Sequence, residues 1–120
     1  RVLKTGGRIA FTEILERDRM TDDARERLRR EMMFVDIETQ AGYCRLLERE
    51  GCKVLQVQDV SETWAEILVA RHAMYRSLKT QTVARFGTAH FEAWDNAYDH
   101  FVGLYKTGEL GGGRFLARRD

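Results

Sequence analysis

The chain has 120 residues, of which 43% are hydrophobic and 32% charged, and its 20 basic and 19 acidic residues leave a net charge of +1. That length suits one domain with one modest core, and the even charge excludes the basic excess a nucleic-acid surface needs. No apolar run approaches the roughly 20 residues that span a bilayer. The opening Arg1-Val2-Leu3-Lys4-Thr5-Gly6-Gly7 puts a turn where a signal peptide has its apolar stretch, so a cytoplasmic protein off the membrane is expected.

Gly6-Gly7 marks a turn, and the short, mostly apolar segment Arg8–Leu15 that follows reads as a buried strand. Thr21, then Asp22 and Asp23, is a helix start: a hydroxyl cap followed by acids against the positive end of the dipole. Ala24, Leu28 and Met32 recur every four residues as a narrow apolar stripe, and the Arg/Glu run from Arg25 to Glu31 is its solvated side. Met20, Met32, Met33 and Phe34 form a soft apolar group, read as core or a partner surface ahead of the remnant of a lid. Thr39 can cap a second helix with Ala41, Cys44 and Leu47 on one face, ended by Gly51. Cys52–Val60 is a second strand. Thr63 and Glu66 have capping-box spacing and open one long helix to Phe86, with Trp64, Ile67, Leu68, Met74, Tyr75, Leu78 and Phe86 along a face and Gly87 closing it. Thr88 can cap the last helix, whose aromatic stripe of Phe91, Trp94, Tyr98, Phe101 and Tyr105 reads as packing, closed by Gly108. Gly111-Gly112-Gly113 then leads into a third strand, Arg114–Arg118. Proline is absent, so turns fall to Gly, Asn, Asp, Ser and Thr. Cys44 and Cys52 make no disulfide framework and no metal pattern; two buried thiols in a reducing compartment are expected. The order β, α, α, β, α, α, β predicts an α/β domain over residues 1–120, a three-stranded mixed sheet with covering helices.

Val2-Leu3-Lys4-Thr5-Gly6-Gly7-Arg8-Ile9 resembles the Leu-Lys-Pro-Gly-Gly turn before the fifth strand of class I S-adenosylmethionine-dependent methyltransferases, with Thr5 where proline is usual. Leu46-Leu47-Glu48-Arg49-Glu50-Gly51-Cys52-Lys53-Val54 is similar to that family's junction between its last core helix and sixth strand. Tyr98–Arg118, with Gly108-Glu109-Leu110-Gly111-Gly112-Gly113-Arg114-Phe115, is similar to the tail of the small-molecule branch, nearest to sarcosine/dimethylglycine and phosphoethanolamine-type N-methyltransferases. The resemblance implies the last three strands of a Rossmann-like sheet, the final strand lying antiparallel between the other two.

The resemblance also implies S-adenosylmethionine as cofactor of the complete fold and a small-molecule methyl acceptor. The family's cofactor site is a Gly-rich turn after its first strand, with an acid after the second. Gly111-Gly112-Gly113 is the only glycine cluster here, and a strand follows it rather than a helix end that would supply amide donors. The chain is therefore expected to be the acceptor-side portion of such an enzyme, a fragment holding no cofactor and inactive alone. The alternative is a stand-alone, non-enzymatic module that binds a small molecule or protein in an aromatic pocket.

Ligands of open α/β sheets bind beyond the carboxyl ends of the strands, which makes Thr12, Glu13 and Ile14 candidate substrate residues. Glu13 can hold a cationic amine, or be an exposed strand-end acid. His72 and Tyr75 share a helix face and can line a pocket, or be a histidine beside a core tyrosine. His90 and His100 read as solvent-facing or capping. No nucleophile–base arrangement is readable, and transfer from a sulfonium can draw instead on positioning and desolvation. The first strand would pair in the complete fold with a strand absent here, so its apolar edge is expected to join a second copy in a homodimer.

Overall fold

The computed structural model describes residues 3–120; Arg1 and Val2, the latter opening the Val2–Ile9 motif, lie outside the described residues. The elements are strand β1 (Arg8–Glu16), helices α1 (Asp22–Met32) and α2 (Gln40–Arg49), strand β2 (Cys52–Asp59), helices α3 (Ser61–Ser77), α4 (Lys79–Phe86) and α5 (Thr88–Lys106), and strand β3 (Leu110–Arg119). The sheet order is β1-β3-β2, with β3 antiparallel to both neighbours. The last strand thus lies between the first two, as expected, and β1 and β2 run in the same direction across it. The register with β2 slips between Val54 and Gln56, a bulge at Leu55.

The turn before β1 is a hydrogen-bonded β-turn. Gly7 donates its N–H to the Lys4 carbonyl at 2.8 Å, and Gly6 sits at φ +78° in the third position, where a type II turn demands positive φ. Thr5 occupies the second position, the one proline favours. The Gly6 N–H donates to the Arg119 carbonyl (2.8 Å) and the Arg119 N–H to the Gly7 carbonyl (2.9 Å), which ties the turn to the end of β3.

Thr21 and Thr39 cap α1 and α2 as expected, their hydroxyls accepting from the amides of Ala24 (3.1 Å) and Gly42 (3.0 Å). Two caps differ from the reading. α3 starts at Ser61, not near Thr63, because Asp59 Oδ1 accepts from the Ser61 amide (2.9 Å) and hydroxyl (2.5 Å) and closes an earlier turn. Thr63 and Glu66 lie inside the helix. Thr88 is the first residue of α5 rather than its cap, which is Gly87, with no side-chain bond. The expected single helix to Phe86 is also broken. At Leu78 (φ −95°, ψ 14°) the N–H reaches back only three residues, to Tyr75 (3.1 Å), and the Ser77 hydroxyl bonds the Met74 carbonyl (2.6 Å), competing with the helical ladder.

The sheet is covered on two faces. Phe11 and Phe115 are cross-strand partners with rings stacked at 4.9 Å, and Tyr43 of α2 packs on both. The opposite face carries Ile14 and Leu110 and meets α1, α3 and α5 in a cluster built from Ala24, Leu28, Phe101, Leu104 and Tyr105. Phe115, Leu28 and Leu110 are fully buried. Met20, Met32 and Phe34 pack against this core, but Met33 is 82% exposed, in the left-handed region at φ 59°. Met74, Leu78, Phe86 and Trp94, read as interior, face solvent instead; α4 packs chiefly on α5 and α3. Cys44 and Cys52 are free thiols, each half-buried. Among the described residues no helix is long and apolar enough to cross a membrane.

Candidate functional site

The three glycines form part of β3 itself rather than a turn before it, and they decide how closely α3 approaches the sheet. A Cβ on Gly112 would lie 2.4 Å from the Trp64 ring, one on Gly111 2.3 Å from Ser61 Oγ, and one on Gly113 2.7 Å from a Leu15 methyl. With no side chains there, the Trp64 ring lies directly on the strand. Val60 donates its N–H to the Gly112 carbonyl (2.9 Å), and Gly112 donates its own to Ser61 Oγ (3.1 Å). The Ser61 hydroxyl and amide in turn hold the Asp59 carboxylate below its usual range.

This close approach leaves a groove of about 480 Å³ between the carboxyl end of β1, the 33–38 connection, α3 and α5. Ile14 and Trp64 form its sheet end with Tyr105, and Phe34, Leu68 and Phe101 its walls. Arg71 and Tyr98 stand at the other end. α3 and α5 are antiparallel: Trp64 packs in the cluster with Phe101 and Tyr105, whereas His72 and Tyr75 meet Asp95 and Phe91. The aromatic walls meet edge to face, Phe34 with Phe101 at 5.5 Å and Tyr98 with Phe101 at 5.9 Å.

Tyr105 is buried and its hydroxyl has no hydrogen-bond partner among the described residues. Burial first, and the Glu13 carboxylate second, push the phenol well above its usual range, so it stands as a protonated donor. A second cleft of about 570 Å³ is lined by Glu16, Arg17, Asp18, Arg19, Thr39 and Gln40. Its walls alternate in charge and are less apolar than those of the groove, which makes the groove the better candidate.

The structure separates the candidate substrate residues. Ile14 pairs with Gly112 and lines the groove; Thr12 pairs with Arg114 on the same face and is exposed. Glu13 pairs with Gly113 on the opposite face, toward Tyr43, whose phenol is raised by burial and then by Glu13. His72 is buried, with Nε2 2.7 Å from Asp95 Oδ1, and Tyr75 stacks on Phe91 at 5.0 Å. These two fasten α3 to α5 and are not among the groove's lining residues. His90 is exposed beside Phe86, but His100 is half-buried with Nδ1 unpartnered, and burial lowers its pKa. Arg71, Trp64, Tyr98 and Tyr105 were not readable as site residues, although the seven-residue spacing of Trp64 with Arg71 and of Tyr98 with Tyr105 puts each pair on one helix face.

No protein-family model and no curated protein sequence matches the chain. Solved structures do. A protein assigned as a sarcosine dimethylglycine methyltransferase from Galdieria sulphuraria superposes with a TM-score of 0.87 at 18% identity, over 100% of this chain and 44% of that one. A phosphoethanolamine N-methyltransferase from Haemonchus contortus, in complex with phosphomonomethylethanolamine and S-adenosylhomocysteine, gives 0.83 at 14% identity, over 99% and 28%. A cyclopropane synthase from Mycobacterium tuberculosis gives 0.80 at 13% identity, over 98% and 46%. The chain therefore spans less than half the length of these neighbours, and its fold is that of a portion of a class I methyltransferase. In its one glycine run the space beside the backbone is taken by Trp64, Ser61 and Leu15.

Proposed function

We propose that this chain is the acceptor-side portion of an S-adenosylmethionine-dependent small-molecule methyltransferase, and that alone it binds no cofactor and transfers no methyl group. The observation that carries this reading is the groove at the carboxyl end of β1, where open α/β sheets meet their ligands. Methyl transfer is a displacement at a sulfonium carbon, and it gains most from alignment and exclusion of water. In this reading Ile14 and Trp64 desolvate the acceptor, Thr12 and Glu13 stand near the transfer end of β1, and His72 and Tyr75 hold α3 against α5. The cofactor belongs to strands that precede β1 in the complete fold. The free outer edge of β1 joins a second copy in a homodimer, and the two thiols suit a reducing cytoplasm.

The test is a calorimetric titration of the purified chain with S-adenosylmethionine. No saturable heat up to millimolar ligand is expected; micromolar binding would overturn the reading. Sedimentation at high micromolar concentration should show a dimer, and a monomer there removes the edge-pairing proposal. The second reading, a stand-alone binding module, is favoured by the apolar cluster the chain closes by itself around Leu28, Phe101 and Leu110. An in-frame Gly-rich strand–turn–helix upstream of Arg1 supports the enzyme portion; a start codon immediately upstream supports the module.

A further inference from the structure

Resting on that reading of the groove as the acceptor site, we infer that its ligand is an elongated anion: an apolar or aromatic body with an anionic group at one end and a hydrogen-bond-accepting heteroatom at the other. The length comes from the helices. Trp64 and Arg71 are seven residues apart on α3, as are Tyr98 and Tyr105 on the antiparallel α5. At 1.5 Å per residue each pair spans about 10 Å.

The chemistry at the two ends differs. Tyr105 brings a buried, protonated, unpartnered hydroxyl to the sheet end, beside Ile14. Such a group costs stability until an acceptor reaches it. Arg71 brings a guanidinium to the far end, and no other lining residue is charged. It makes no ion pair among the described residues, whereas Arg76, five residues on, is committed to Asp95 (2.9 Å) and Asp99 (3.6 Å). Its charge acts on the Tyr98 phenol, against the effect of burial. A free guanidinium beside an aromatic wall suits a carboxylate or a phosphate.

The sign of the charge is the point of departure from the sequence. Glu13 suggested a cationic amine, but Glu13 pairs with Gly113 on the face toward α2 and does not line the groove; within the groove its carboxylate acts only on the Tyr105 phenol at the sheet end, away from Arg71. The heteroatom end of the ligand lies by the carboxyl end of β1, where a methyl group would arrive, and its anion lies away from it.

The chain has two tryptophans, so Trp94→Phe leaves Trp64 as a fluorescent reporter in the groove wall. This variant would be titrated with 3-(4-hydroxyphenyl)propanoate, its neutral amide and 3-(4-hydroxyphenyl)propylamine. The carboxylate should bind roughly tenfold tighter than the amine. Arg71→Gln, at an exposed position that leaves the fold intact by circular dichroism, should erase that preference. Tyr105→Phe should weaken all three probes about threefold and leave the preference unchanged. A fourth probe, 2-(4-hydroxyphenyl)ethyl phosphate, separates a carboxylate head from a phosphate. Equal or tighter binding of the amine, no saturation by any probe, or an anion preference that survives Arg71→Gln would each overturn the inference. The result is independent of the cofactor titration. A chain that binds S-adenosylmethionine and prefers the anion loses only the half-enzyme reading; one that binds no cofactor and prefers the amine loses only this inference.

Discussion

α5 is held in two different ways along its length. Its carboxyl end is buried in an apolar cluster with Leu28 and Leu110. Its amino end is tied to α3 by the stack of Tyr75 on Phe91 and by Asp95, which accepts from Arg76 (2.9 and 3.2 Å) and faces His72 (2.7 Å), while Trp94 is 41% exposed. Burial is non-directional, whereas a few partly exposed charges answer to pH and are screened by salt. One helix thus joins a fixed platform at the sheet to an adjustable grip at the far end, and the groove lies between them.

The sharpest way to break the platform is Phe115→Ala. Phe115 is fully buried between Phe11 and Tyr43, and the change should cost about 3–5 kcal/mol, a large share of a typical domain's stability, read from urea denaturation. Gly112→Ala comes next, because its methyl meets the Trp64 ring; it should cost about 1–3 kcal/mol. Combined with Trp64→Leu, the loss should fall short of the sum of the single losses; strict additivity would show that the ring does not sit on that strand.

Asp95→Asn loosens the far grip and leaves the platform intact, at about 1–2 kcal/mol. The hydrogen bond from Arg76 foremost, with His72 after it, holds the Asp95 carboxylate below its usual range against the opposing effect of burial. Its folded pKa is depressed, so the stability it adds is present above the unfolded value of about 3.9 and is lost as pH falls through the lower folded value. Denaturation at pH 7 and pH 3 should show this loss in the parent and less of it in the variant. The smallest effect is a gain. Met33→Gly relieves a left-handed residue that is exposed and packs little, and should add about 0.5 kcal/mol.

The strands and the hydroxyl caps at Thr21 and Thr39 were legible because they rest on local chemistry. The place of β3 between β1 and β2 was legible only through resemblance, since nothing in the pattern of Leu110–Arg119 states which strands it joins. The start of α3 was misread although its cause is local: Asp59 holds the Ser61 amide two residues on, and the capping-box spacing at Thr63 and Glu66 drew the boundary too far along the chain. The glycine run looked like a loop because its reason, the ring of Trp64, lies about fifty residues earlier in the chain. The groove was hidden for the same cause. Arg71 and Tyr105 belong to two helices whose facing sides are set by how deeply α3 seats on the sheet.

The central strand is also the last of the three along the chain. Among the described residues β1 and β2 have no contact in the sheet except through residues 110–119. About fifty residues of helix and turn separate β2 from the strand that joins it to β1. Every contact among these three strands is therefore closed by that one strand. Such long-range pairing is slow to form, and the inner edges of β1 and β2 stay open to aggregation until residues 110–119 join them.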